Sequence, residues 1–181
     1  RQAVLIEPSQ KQRIIAKKLL NDTKIKVLAG LADKTKLEDS SLDLAVLVRV
    51  MHHLPDVNST HAEVHRILKP NGIAIIEFAS SLNLKSRIIS WLSGKPILLV
   101  SIDRRRMINV RNQTIPFVNH HPVTLQKALI RNGFSIQRIL SVSNFRGLPL
   151  KSLRLEKIVQ PVLGKLYFGP SIFILAKRQE V

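Results

Sequence analysis

The residues able to do chemistry in this chain are few and sit at the ends of short apolar runs. Glu7 follows Ala3-Val4-Leu5-Ile6 and precedes Pro8-Ser9. A carboxylate at the tip of a strand in a βαβ nucleotide site accepts hydrogen bonds from ribose hydroxyls, and Ser9 is suited to cap the helix that follows. The plainer alternative is a carboxylate that solvates a strand end. His52-His53 come shortly after a second apolar run, Leu44 to Val48. An imidazole there can take a proton from a hydroxyl or phenol near neutral pH, which makes His53 the candidate general base. His61 and His65 are four residues apart and share a helix face. A zinc-protease helix needs its glutamate directly after the first histidine, whereas Glu63 comes two after it. No metal site is assigned, and a solvated helix face is expected.

These side chains need elements to hold them, and the pattern of apolar runs supplies an alternation. Strands are expected at Ala3 to Glu7, Lys26 to Ala29, Asp43 to Val48, Gly72 to Phe78, Phe134 to Val142 and Ser171 to Ala176. Helices are expected at Ser9 to Leu20, Asn58 to Leu68, Leu82 to Leu92, Pro122 to Asn132 and Leu150 to Leu166, with Pro161 kinking or ending the last. Short apolar strands alternating with helices imply an α/β fold with a mostly parallel sheet and helices on both faces. Ligands bind such sheets outside the carboxyl ends of the strands. The segment Lys95 to His121 has no firm periodicity. It contains Arg104-Arg105-Arg106, a triplet that is either solvated or part of a lid, and His120-His121, at a pocket mouth or capping the helix begun by Pro122.

Composition narrows the class. A chain of 181 residues with 45% hydrophobic content forms one domain with a sizeable core. Without cysteine there are no disulfides or thiolate metal sites. Apolar runs such as Pro96 to Val100 fall far short of the roughly 18 residues of a membrane span. The expectation is a cytoplasmic protein, peripheral to a membrane at most. Charge divides the chain: residues 1–81 carry 12 Lys and Arg against 9 Asp and Glu, whereas residues 82–181 carry 17 against 3. The basic field therefore belongs to the second half, and its partner is anionic or lies on an anionic surface. The helix around Leu84, Ile88, Trp91 and Leu92, with Lys85 and Arg87, reads either as buried packing or as an amphipathic surface helix on anionic lipid.

The order of motifs is more specific than any single one. An apolar strand runs into Gly30-Leu31-Ala32-Asp33; Leu42-Asp43 opens the next strand; Met51-His52-His53-Leu54-Pro55-Asp56 follows it; a helix then ends Arg66-Ile67-Leu68-Lys69-Pro70-Asn71-Gly72. This order resembles the class I S-adenosylmethionine-dependent methyltransferases of the type 11 kind, whose pattern reads G-x-A-E, F-D, L-H-H-L-x-D and R-x-L-K-P-G-G. The resemblance implies a Rossmann-like sheet of order 3-2-1-4-5-7-6 with the last strand antiparallel. It also implies S-adenosylmethionine as cofactor, with residues 1–81 on the cofactor side and 82–181 on the substrate side. Glu7 and Pro8 would face the ribose, and Ala32 and Asp33 the adenine edge. Val48, Arg49 and Val50 would flank the methionine part. Phe145-Arg146, Leu150-Lys151 and Pro170-Ser171-Ile172-Phe173 resemble the ending of a bacterial subgroup of the same family.

Three departures accompany the resemblance. Leu42 replaces the usual Phe, Asn71 replaces the first Gly of P-G-G, and the family's first strand and G-x-G-x-G loop have no counterpart, the seven glycines all being isolated. Strand 1 lies between strands 2 and 4, so a chain without it has two interior edges with unpaired backbone groups. The expectation is an N-terminally truncated chain, poorly stable alone, or one that takes this strand from elsewhere. Two functions remain open: a methyltransferase for a small-molecule or lipid-associated acceptor, and a non-catalytic domain of the same fold that binds nucleic acid or an acidic partner. With 4% aromatic residues there are few stacking platforms for RNA. A nicotinamide dehydrogenase has no need of the L-H-H-L-x-D and R-x-L-K-P-x-G elements.

Overall fold

A computed structural model describes residues 2–21, 23–54, 56–103, 116–142, 166–167 and 169–180. The first unit is a βαβ crossover. Strand β1 (Ala3–Ile6) pairs in parallel with β2 (Ile25–Leu28), Ala3 opposite Ile25 and Ile6 opposite Leu28. The helix between them, α1 (Gln10–Leu19), starts where the Ser9 hydroxyl accepts from the Gln12 N–H at 3.4 Å, and it buries none of its residues completely. Gly30 lets the chain leaving β2 pack beside β1, because a Cβ there would stand 2.8 Å from Ile6 Cγ2.

The second unit is a four-stranded sheet. Strand β3 (Leu42–Leu47) runs parallel to β4 (Leu68–Ala79), joined by a single 3-10 turn over Met51–His53 and by α2 (Asn58–Ile67). Next to β4 and antiparallel to it lies β8 (Ser171–Arg178), followed by β7 (Phe134–Val142), antiparallel again, to give the order β3-β4-β8-β7. Helix α4 (Pro122–Arg131), with proline in its first turn, leads into β7. Between β4 and α4 come α3 (Leu84–Ser93) and two short antiparallel strands, β5 (Ile102–Asp103) and β6 (Val118–Asn119).

Alternation along the strands builds the core on one face. Gly72, Ala74, Ile76 and Phe78 of β4 are buried, and so are Ile172, Ile174 and Ala176 of β8. Side chains two apart point to the same side of a sheet, and the register places Ala45, Ala74 and Ala176 in one row and Leu47, Ile76 and Ile174 in the next. Leu125 and Leu129 of α4 and Val64 of α2 close over these rows. On β3 the alternate side chains Leu44 and Val46 are exposed.

Strand β7 occupies the expected residues, whereas β4 begins four residues earlier than expected, at Leu68 instead of Gly72. Lys69-Pro70-Asn71 falls between the expected helix and strand, yet pairing already starts at Leu42 opposite Leu68 and then slips before Leu44 meets Ile73. Asn71, which stands where the resembling pattern has glycine, takes φ of 64°, in the left-handed region that asparagine tolerates. Strands β5 and β6 lie in the stretch without firm periodicity. The expected helix over Leu150 to Leu166, the Phe145-Arg146 and Leu150-Lys151 pairs, and Arg104-Arg105-Arg106 lie outside the described residues, except for Leu166 itself. Among the described residues β1 and β3 each have one strand partner, and no strand joins the two sheets.

Candidate functional site

The segments that follow β1, β2 and β3 hold every site residue expected from the sequence. After β1, the Glu7 N–H donates to the Leu28 carbonyl at 3.1 Å, which carries the pairing one residue past the strand. The half-buried Glu7 side chain accepts the Ser9 N–H on Oε1 at 2.8 Å, so it sits at the positive end of α1. The Arg13 guanidinium donates to the carbonyls of Glu7 at 2.9 Å and Pro8 at 2.6 Å. The carboxylate is thereby fixed through one oxygen, with Oε2 left as an acceptor.

After β2, Ala32 and Asp33 form the tip of a tight turn. The Leu31 N–H donates to the Lys34 carbonyl at 3.2 Å and the Lys34 N–H returns to Leu31 at 3.1 Å. Asp33 is exposed and Ala32 half-buried. The turn is tied down behind by Thr35, whose N–H and hydroxyl donate to Glu63 Oε1 at 2.8 and 2.6 Å. Arg66 donates to the same carboxylate, through Nε to Oε2 at 2.9 Å and Nη2 to Oε1 at 2.8 Å, and also pairs with Asp39. The Arg66 bonds, with help from Thr35, hold the Glu63 carboxyl at about 2 despite the opposing effect of burial. Glu63 thus joins the βαβ unit to α2, which corrects the expectation of a solvated face.

At the end of β3, Arg49 takes φ of 60°, a left-handed conformation uncommon outside glycine and asparagine. Its N–H donates to Glu77 Oε2 at 2.8 Å, and Oε1 of the same carboxylate accepts the Ser171 hydroxyl at 2.5 Å. Glu77 therefore ties the tips of β3, β4 and β8 and turns the chain from Val48 toward Val50 and the histidines. Sequence reasoning missed Glu77. The available signal was a lone carboxylate in Ile73-Ala74-Ile75-Ile76-Glu77-Phe78-Ala79, where an apolar strand has no other reason for a charge.

The histidines that follow differ from one another. His52 is buried, its ring centroid 3.9 Å from that of His53 and 5.0 Å from that of Phe117. Burial, and then the neighbouring His53, lower its pKa. His53 is exposed, with Nδ1 3.0 Å from the Pro116 carbonyl. A carbonyl only accepts, so Nδ1 carries the proton and Nε2 of the neutral ring offers a lone pair. His120, expected at a pocket mouth or helix cap, is instead a buried clamp. Its Nε2 lies 2.8 Å from the Met51 carbonyl, its Nδ1 lies 3.0 Å from Ser101 Oγ, and its N–H donates to Ala79 at 2.8 Å. It fixes the Met51–His53 turn to the end of β4. Burial lowers its pKa, against the bond to Met51.

Helix α2 also departs from a solvated face at His61, which is 0% exposed and has no hydrogen-bond partner on either ring nitrogen. Burial, and then His120, push its pKa to about 4, with Asp56 opposing. His65 packs its edge on Phe134. Among the described residues no group of three His, Asp or Glu side chains could hold a metal ion.

Residues 1–76 match the family model of the methyltransferase domain. The chain has a class I methyltransferase fold. Solved structures of such methyltransferases share that fold over nearly the whole chain. An S-adenosylmethionine-dependent methyltransferase from Mesorhizobium loti is 20% identical with a TM-score of 0.69, covering 98% of this chain and 80% of its own. One from Thermotoga maritima is also 20% identical at 0.69, covering 98% and 73%. One from Methanosarcina mazei is 18% identical at 0.63, covering 98% and 82%. A search of curated proteins finds no match. In this methyltransferase fold Glu7, Pro8, Ala32 and Asp33 gather at the carboxyl end of the β1-β2 sheet. Val48, Arg49, Val50 and His53 follow the carboxyl end of β3, and the Thr35-Glu63-Arg66-Asp39 network ties the segment after β2 to α2.

Proposed function

We propose that this chain is an S-adenosylmethionine-dependent methyltransferase whose acceptor is a small molecule or a lipid-associated compound. The observation that carries the reading is the set of polar groups at the carboxyl ends of parallel strands in a methyltransferase fold. The donor set suits an adenosine. Glu7 is anchored by one oxygen and offers the other to ribose hydroxyls, and Asp33, at the tip of its turn, can accept from an exocyclic amine. Glu77 supplies negative charge beside Val48 to Val50, which suits a sulfonium, while Arg49 can hold the methionine carboxylate or an anionic acceptor.

Bound there, the cofactor supplies an electrophilic methyl group. The chain's own task is to align an acceptor, exclude water and remove a proton where the acceptor is a hydroxyl. His53 suits the last role, since its Nδ1–H is engaged by Pro116 and its Nε2 keeps the lone pair. Buried His52 and the His120 clamp fix the turn that carries it.

Calorimetric titration of S-adenosylhomocysteine into the protein tests the reading. Saturable binding is expected, and Glu7→Ala should weaken it by about 1.5 to 3 kcal/mol, roughly ten- to a hundredfold in Kd. Equal affinity in the mutant removes Glu7 from the site. No binding by the unaltered protein favours a non-catalytic domain that uses its basic half for attachment.

A further inference from the structure

One surface of the molecule has no role in that chemistry. Helix α3 buries none of its residues completely. Ile88, Trp91 and Leu92 share a face at i, i+3 and i+4 and are exposed, Trp91 by 82% and Leu92 by 71%. Gly94 ends the helix at φ of 65°, and Leu98, Leu99 and Val100 in the next segment are exposed as well. The Ser90 hydroxyl donates to the Lys95 carbonyl and ties this reversal together. Single exposed apolar side chains are ordinary, whereas a run of them on adjoining elements marks an interaction surface.

Charge selects the partner. Exposed Lys85 and Lys95 border the apolar residues, and no acidic residue occurs between Glu77 and Asp103. With the second half of the chain at net +14, two copies would repel each other across this face, and an anionic surface would attract it. A short amphipathic helix with tryptophan and leucine on one side and lysine at the border suits the headgroup region of a bilayer. Such a helix lies in the plane of the membrane, and no helix among the described residues is long and apolar enough to cross one.

We infer that α3 and the segment through Val100 dock this protein on an anionic lipid bilayer. The face adjoins the candidate site. Strand β4 ends at Ala79, five residues before α3 begins, and Ser101 reaches His120, the clamp behind the histidine turn. Docking would therefore present a membrane-borne acceptor to the carboxyl edge of the sheet. Docking itself requires no methyl transfer, so either reading can fail while the other stands.

Trp91 is the chain's single tryptophan, so its emission reports on this face directly. The protein is mixed with phosphatidylcholine vesicles with and without phosphatidylglycerol, and both emission and co-sedimentation are followed. The expected result is a blue shift and co-sedimentation with the anionic vesicles, reversed by salt. Ile88→Glu with Leu92→Glu should abolish both without changing the far-UV circular dichroism. Lys85→Gln with Lys95→Gln should weaken binding roughly tenfold or more. The inference is overturned by an unshifted spectrum on anionic vesicles, by variants that bind as the parent does, or by a blue shift that rises with protein concentration without lipid, which would assign the face to a second copy.

Discussion

The β1-α1-β2 unit and the β3-β4-β8-β7 sheet carry comparable numbers of proposed site residues but very different support. Every member of the buried apolar cluster lies at or beyond Ala45, and Phe78, Phe134, Met51 and Ile76 are fully enclosed. In the first unit Ile14, Leu19 and Leu28 are exposed, and none of its residues joins the core. The groups proposed for adenosine thus stand on a thin two-stranded platform, while the turn carrying His53 stands on a packed body. Two strands alone are marginal in water, so the platform depends on α1 and on its links to α2. Binding and stability are therefore separable here: damage to the body should unfold the protein, and damage to the platform should cost affinity first.

The largest expected effect tests that separation. Phe78→Ala removes an enclosed ring from β4 and should lower unfolding stability by about 3 to 5 kcal/mol. Leu5→Ala in β1, whose side chain is already 38% exposed, should cost well under about 2 kcal/mol. Urea denaturation measures both, and comparable losses would break the distinction between the two regions.

A smaller effect separates them by pH. All six histidines lie between residues 52 and 121, hence none in the β1-β2 unit. Burial lowers the pKa of His52, His61, His65, His120 and His121, furthest at His61, to about 4. A histidine with a lowered folded pKa binds its proton first in the unfolded chain, so its share of stability is full above about 6.5 and is lost as pH falls toward 4. For His61 that share is on the order of 3 kcal/mol. His61→Leu leaves no ring nitrogen to protonate and breaks no hydrogen bond, so it should flatten the stability profile between pH 6.5 and 4 while leaving pH 8 nearly unchanged. An acid limb as steep as in the parent would remove His61 as a cause.

Much of this body was legible in the sequence because its periodicity is local. Phe134 to Val142 is a strand-like stretch of interspersed apolar and polar residues that follows Gly133, and α4 is announced by Pro122 and closed before Gly133. Glu7, Ala32-Asp33 and Val48 to Val50 fall at strand ends because motif order fixes where strands stop. What was hidden depends on partners distant in the chain. Glu77 is 28 residues from the Arg49 N–H it accepts and 94 from Ser171. His120 is 69 residues from Met51, and among the described residues the two-residue strands β5 and β6 pair with each other alone. Helix α2 looked solvated because Thr60 and His61 are polar types, yet with Val64 and Ile67 they form its buried stripe.

The smallest effect concerns the joint between the two regions. Glu63 accepts from buried Thr35 on the β2 side and from Arg66 on its own helix, and its side chain is 11% exposed. Its folded pKa is depressed to about 2, so the stability it contributes is full above about 4.5 and lost as pH falls toward 2. That window lies below the histidine window, and the two can be told apart on one acid titration. Glu63→Gln keeps the shape but removes the charge and one acceptor, since an amide nitrogen cannot accept from Arg66, and should cost about 1 to 1.5 kcal/mol. The loss should be local. Amide hydrogen exchange in the mutant should quicken at β1, β2 and Thr35 and stay unchanged in β4 and β8, because Glu63 is not part of the buried apolar cluster that those strands build. With the platform loosened and the body intact, affinity for S-adenosylhomocysteine should fall while the midpoint of global unfolding barely moves. Uniformly faster exchange across both sheets would instead mean that the two regions unfold as one cooperative unit, and that the thin platform is supported by contacts other than this carboxylate.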